Sequence, residues 1–237
     1  MATYLYAITG AEHPLQLSDV NGVGEPAARL RTVRTKHLCA VVSDAPDGLR
    51  AKRRDVAAHQ SVQDRLLADG AALPMRFGLV GPDDAQVVSA LEEHRDTYTQ
   101  RLKEIDGCRE YHLKVARDED DLLREIVRES AEVQQLNDRT RQNPDAYDAK
   151  VALGELISQE VEARHDRART DIVARLAPAA VRTANVEPTK RHFLNVSFLV
   201  RQEQAAAFSE AVHAEAGQRG DAYAFSLHGP LPPYSFV

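Results

Sequence analysis

Between Phe193 and Arg201 the chain reads Phe-Leu-Asn-Val-Ser-Phe-Leu-Val-Arg, with Leu194, Val196, Phe198 and Val200 at alternate positions. A period of two predicts a strand, because successive side chains leave a pleated backbone on opposite faces. One strand cannot bury such a face alone; it needs neighbouring strands and a covering layer. The surrounding sequence supplies both. Upstream, Arg109 to Ala116 alternates Tyr111, Leu113 and Val115 with His112 and Lys114, a strand with one wet face. Asp118 to Asp121 forms an acidic first helical turn, followed by an apolar stripe of Leu122, Leu123, Ile126, Val127 and Val133. Residues 137–147 are polar, with Asn143-Pro144 as the break. A long helix is predicted from Tyr147 to Leu176, since Leu153, Ile157, Val161, Ala168, Ile172 and Leu176 fall largely four apart. Pro178 and Pro188 flank a candidate strand at 180–187. Gln202 to Ala216 reads as a helix stopped by Gly217, and Ala222 to Leu227 as a last strand. The order is strand, helices, strand, strand, helix, strand: the ferredoxin-like pattern with an enlarged first helical connection.

The first half also mixes the two periods. Thr3 to Thr9 is a β-rich apolar run bounded by Gly10, and residues 10–26 carry the Gly and Pro of a loop. His37 to Ser43 is a short buried strand ended by Asp44-Ala45-Pro46-Asp47-Gly48. Lys52 to Asp69 places Val56, His59, Val62, Leu66 and Leu67 at helical spacing, with Gly70 closing the helix. In Ala72 to Val80, Pro74 removes a backbone donor and belongs at a strand start or edge. After Gly81-Pro82, a helix opened by Asp83 and Asp84 puts Val87, Leu91, His94, Tyr98, Leu102 and Ile105 on one face, ending at Asp106-Gly107. The expected fold class is α+β in two domains. These are an N-terminal α+β domain over 1–106 and a ferredoxin-like domain over 107–228, followed by a Pro-rich tail over 229–237.

Composition narrows the function. The chain has 237 residues, 43% hydrophobic and only 5% aromatic, with no Trp and a net charge of −6. No apolar run approaches the roughly 20 residues that span a bilayer, and Met1-Ala2-Thr3-Tyr4 lacks the basic and apolar regions of a signal peptide. A mildly acidic chain has no general electrostatic reason to bind nucleic acid. Cys39 and Cys108 match no metal or redox spacing and suggest buried thiols in a reducing, cytoplasmic context.

Chemical motifs are missing. Gly22-Val23-Gly24 lacks the third Gly and the Lys-Ser/Thr of a phosphate loop. No Gly-x-Ser-x-Gly elbow or His-Glu-x-x-His occurs. His59, His94 and His112 read as hydrogen-bonded structural residues. Glu162 and His165 lie one turn apart, with no second pair to complete a metal site. Asp83-Asp84, Glu92-Glu93 and Asp118 to Asp121 point in different directions on helices and read as caps and solvated faces. No catalytic residue, cofactor or metal is expected.

Three segments invite a partner. Leu73-Pro74-Met75-Arg76-Phe77-Gly78 embeds an Arg among apolar neighbours, where it either pairs with a buried acid or offers its fork to a partner. Residues 29–54 carry Arg29, Arg31, Arg34, Lys36, Arg50, Lys52, Arg53 and Arg54 against only Asp44 and Asp47. They are either solvated flanks around a buried strand or a docking patch for an acidic partner. The tail Gly229-Pro230-Leu231-Pro232-Pro233-Tyr234-Ser235-Phe236 is stiffened by its prolines and ends in two aromatics. It either docks back on its own protein or anchors a partner.

These boxes also carry a resemblance. Tyr4-Leu5-Tyr6-Ala7-Ile8, His59, Leu-Pro-Met-Arg-Phe-Gly at 73–78, Glu110 to Val115, Asn195 to Val200 and the Gly-Pro-x-Pro-Pro-Tyr-Ser-Phe tail occur in the order of the GvpF/GvpL gas vesicle protein family. They span essentially the whole chain, and its short length leans toward the F branch. Leu231 departs from the family's usual Trp, which weakens any idea that a tail Trp is essential. The resemblance implies a two-domain α+β protein, a minor gas vesicle component located at the gas vesicle within the cytoplasm. It implies a non-catalytic, chaperone-like role in assembly, with the hydrophobic shell subunit GvpA and other gas vesicle accessory proteins as partners. Neither nucleic acid nor membrane is among them. Arg76, Phe77, Arg53, Arg54, Tyr234 and Phe236 are the candidate partner contacts. An enzyme on a ferredoxin-like domain and a purely structural shell component are the alternatives.

Overall fold

The computed structural model describes residues 1–143, 145–189 and 191–237. The chain divides into one unit made of Met1–Glu110 with Gly229–Val237 and a second made of Tyr111–His228. Pro144, half of the expected break, lies outside the described residues.

In the first unit, β1 (Thr3–Gly10) is the central strand. β2 (Arg31–Arg34) and β3 (Leu38–Asp44) form an antiparallel hairpin, α1 (Arg53–Asp69) follows, and β4 (Ala72–Pro74) and β5 (Val80–Gly81) return to β1. The sheet order is β2-β3-β1-β4, with β5 also paired to β1. β1 is buried on both faces, with α1 and, further along the chain, Arg95–Ile105 packed against it. Tyr4, Tyr6, Val41, Val62, Leu66 and Ala72 form the core against α1. α2 (Asp84–Glu93) and α3 (Arg95–Ile105) complete the unit. Asp83 caps α2 by accepting the Gln86 N–H at 2.8 Å.

The second unit runs β6 (Cys108–Arg117), α4 (Glu119–Glu129), α5 (Ala131–Gln142), α6 (Tyr147–Leu176), β7 (Arg182–Asn185), β8 (Leu194–Arg201), α7 (Ala205–Arg219) and β9 (Tyr223–Leu231). Its sheet order, β7-β8-β6-β9, is that of the ferredoxin-like fold, with three helices in the first connection. Tyr111, Leu113 and Val115 of β6 join Leu194, Val196, Phe198 and Val200 of β8 under α6 and α7. Phe208 of α7 is wedged between Phe198 and Tyr111, with centroids 5.1 and 5.5 Å away. Leu122, Ile126 and Val133 make a small second cluster against α6. Beside it the buried Arg164 pairs with Glu125, Glu129 and Glu160.

Several expected boundaries move. The helix expected over 83–105 breaks at His94, which leaves helical geometry at φ −103° and ψ 17° and is exposed. Val133 belongs to α5, not α4, because Ser130 turns its side chain to the Val133 N–H and starts a new helix. α5 then runs through the polar residues to Gln142, just before the expected break at Asn143-Pro144. Val56 is exposed. Pro74 closes β4 at the edge of the sheet, where its missing N–H costs no ladder bond. Gly217 lies inside α7, which ends at Gly220. β9 extends through Pro230 to Leu231, again on an edge strand. β2 was hidden by its charged residues.

Deleting the Phe198 ring leaves a cavity between the sheet and α7. Phe198→Ala is expected to destabilise the second unit by about 3–5 kcal/mol, read from chemical denaturation.

Candidate functional site

The Arg76 box is built on a carbonyl. The chain leaves the sheet after Pro74, and Met75 donates its N–H to Tyr6 O at 2.9 Å. Its own carbonyl faces α1, where His59 Nε2 lies 2.9 Å away and Gln63 Nε2 donates to it at 2.8 Å. Gln63 also donates to Tyr6 O at 3.0 Å. Tyr4 Oη accepts the Gly78 N–H at 3.2 Å and is hydrogen-bonded to His59 Nδ1 at 2.9 Å. His59 Nε2 also lies 2.7 Å from Gln63 Nε2, so both ring nitrogens are engaged inside the fold. Burial holds the His59 pKa below its ordinary value, partly opposed by the Met75 bond, and burial pushes the Tyr4 hydroxyl up. Asp55, His59 and Gln63 are spaced by four on the buried face of α1. Sequence reasoning singled out only His59; the spacing of four around it was the available signal.

Above this network the chain makes a tight turn. Leu79 N–H donates to Arg76 O at 3.2 Å, and Gly78, at φ 89°, takes the left-handed position that a type II turn reserves for glycine. Leu5 N–H donates to Leu79 O at 3.0 Å and ties the turn to β1. The Phe77 ring is held edge-on by His59 at 5.7 Å and Tyr4 at 6.1 Å. Arg76 is exposed, and among the described residues its guanidinium forms no hydrogen bond or ion pair. Leu79 and Val80 beside it are each 44% exposed.

The tail belongs to the same unit. Tyr234 Oη donates to Gln63 Oε1 at 2.5 Å, so the tail ends on the network that supports the turn. Ser235 donates through N and Oγ to Glu110 at 2.8 and 2.7 Å, and Arg101 Nη1 donates to Phe236 O at 2.9 Å. Phe236 is buried, and burial together with the Asp64 carboxylate pushes the Tyr234 hydroxyl up to about 12. Arg53 and Arg54 are exposed near the start of α1, apart from this cluster; Arg54 pairs with Glu25 and lies 3.7 Å from Asp55. Gly22 packs under the Tyr6 hydroxyl, where a Cβ would come within 2.6 Å of Tyr6 Oη and of Ala28 O. Gly22-Val23-Gly24 is thus a close backbone approach to the core.

The arrangement offers a cation on a well-bonded turn beside apolar surface, backed by hydrogen-bonded histidine and glutamine. Both thiols are buried, and no group of three or more metal-ligating side chains converges among the described residues. No helix there is long and apolar enough to cross a membrane.

The family described as gas vesicle synthesis protein GvpL/GvpF matches residues 2–237. Gas vesicle protein F of Streptomyces sp. (strain CB03234) is 36% identical over 238 residues, covering 100% of both chains. Gas vesicle protein L of the same strain is 26% identical over 266 residues, covering 99% of this chain and 92% of its own. The crystal structure of GvpF from Anabaena sp. PCC7120 has a TM-score of 0.85 at 21% identity, covering 99% of this chain and 97% of that one. GvpF from Microcystis aeruginosa gives 0.81 at 22%, covering 99% and 98%. At those identities the two crystal structures establish the fold.

Two outcomes follow from the network. Tyr234→Phe leaves Gln63 Oε1 without its donor and is expected to cost about 1–2 kcal/mol in denaturant unfolding. His13, His59 and His165 all have pKa values lowered by burial, so the unfolded chain binds protons that the folded chain refuses. Their contribution is complete above the unfolded value of about 6.5 and is lost as pH falls toward the lower folded values. Unfolding free energies measured from about pH 7.5 to about pH 5 should therefore decline, with a shallower slope in His59→Gln. An unchanged slope would mean that His59 is not among the titrating groups.

Proposed function

Because this chain belongs to the GvpL/GvpF gas vesicle family, we propose that it acts in gas vesicle assembly by binding the hydrophobic shell subunit GvpA and keeping it from aggregating during nucleation. The observation that carries this reading is the turn at 76–79. It presents Arg76, unpaired among the described residues, with Leu79 and Val80 exposed beside it, on a base too well bonded to collapse. An apolar client needs apolar receiving surface, and the Arg76 guanidinium adds orientation through carbonyl or carboxylate groups of the client. The tail supports the site from behind through Gln63, and other gas vesicle accessory proteins are further partners at the remaining surface. We read the chain as non-catalytic, since His59 uses both ring nitrogens inside the fold.

The test is co-purification and light scattering with the shell subunit at micromolar concentration. Wild type should bind the subunit and suppress its scattering. Arg76→Ala and Leu79→Asp should each weaken binding several-fold, and truncation after Leu227 should weaken it further. Failure of the wild type to bind, or variants indistinguishable from it, would refute the proposal. A purely structural role predicts instead that the protein stays in washed, intact vesicles without affecting subunit aggregation.

A further inference from the structure

The opposite edge of the first sheet carries a second surface that the shell-subunit reading does not use. β2 is the terminal strand and pairs only with β3. At the hairpin end, Thr35 N–H donates to Leu38 O at 2.9 Å, which makes that a hydrogen-bonded pair. Antiparallel pairs alternate, so Thr32 and Arg34 form non-bonded pairs with Val41 and Cys39. Their backbone N–H and C=O groups therefore point outward, and none has a partner among the described residues. Such an edge is a template for a further strand.

Beside this edge runs a groove of about 890 Å³, bounded by the loop at 14–21 and by residues 27–34. Its floor is half-buried Leu15, Leu17, Val20 and Leu30, packed on the core of the unit. Arg29, Arg31 and Arg34 line it, and no carboxylate does. Arg31 is neutralised by Asp44 and Asp84. Among the described residues Arg34 bonds only to the Ala11 carbonyl and Arg29 has no partner, so neither positive charge meets a carboxylate there, in a chain of net charge −6. Leu15 is held at φ 51°, its N–H bonded to His13 Nδ1 at 3.2 Å. A leucine in that region is strained, and strain of this kind persists where surrounding structure imposes it.

We infer that the β2 edge and its groove receive an extended segment of a partner protein, added as a strand, whose groove-facing alternate positions carry both apolar and acidic side chains. Main-chain bonds to Thr32 and Arg34 supply the register; on the face turned to the groove, the leucine floor takes the apolar side chains and Arg29 and Arg34 select the acidic ones.

The probe is a fluorescent peptide of about eight residues with valine and glutamate in turn at every second position and threonine between them, with its valine–lysine counterpart as control, titrated into the full chain by fluorescence anisotropy. The acidic peptide should bind at micromolar concentration, at least tenfold more tightly than the basic one, and more weakly as salt rises. Thr32→Pro removes an outward N–H without breaking a bond to β3, and should reduce binding at least tenfold. Thr32→Ala keeps that N–H and should bind like wild type. Arg29→Glu, which breaks no contact, should narrow or invert the preference between the peptides. Circular dichroism verifies that each variant folds. Absence of binding, equal binding of both peptides, or a folded Thr32→Pro variant that binds like wild type would overturn the inference.

Discussion

The carbonyl of Met75 is the constraint on which the rest of the first unit turns. It lies where Pro74 ends the edge strand, and a buried carbonyl without donors costs about 1–3 kcal/mol. α1 satisfies it with two side chains, His59 and Gln63. That choice propagates. His59 bonds through its other nitrogen to Tyr4, and Tyr4 in turn accepts the Gly78 N–H of the turn. Gln63 has its carbonyl oxygen left over, and the tail places Tyr234 on it. One backbone group thus couples a strand, a helix, a display turn and the C-terminal tail. Segments far apart in sequence are related through it.

The second unit is built on a different principle. Its sheet is covered by a dry layer of aliphatic and phenylalanine side chains, and polar groups gather outside it, as in the Arg164 cluster with three glutamates. Such a cluster orients α4 against α6 more than it stabilises the pair, since desolvation offsets much of the attraction.

The segments with a clean period were legible. The alternation in 194–200 and the four-residue spacing along 147–176 both name elements that the structure contains. Breaks that depend on a single side-chain cap were not, as at Ser130, and neither was the short β2, whose arginines mask a strand supported only by its neighbour. For the candidate site, Arg76 and Phe77 could be picked out as an oddity of charge among apolar residues. What they rest on could not, because Gln63, Tyr234 and Glu110 acquire meaning only when the chain brings them together. Of the two readings of Arg76, pairing with a buried acid is absent among the described residues. The tail is docked on its own unit.

The central claim is that a rigid, uncompensated turn at 76–79 is the surface that meets the shell subunit. Hydrogen–deuterium exchange of the full chain, with and without that subunit, tests it most directly. The account predicts new protection concentrated at residues 76–80, with the tail and the core of α1 unchanged because they are already bonded. Protection confined to the second unit, or none at 76–80 in a sample that binds the subunit, would contradict it.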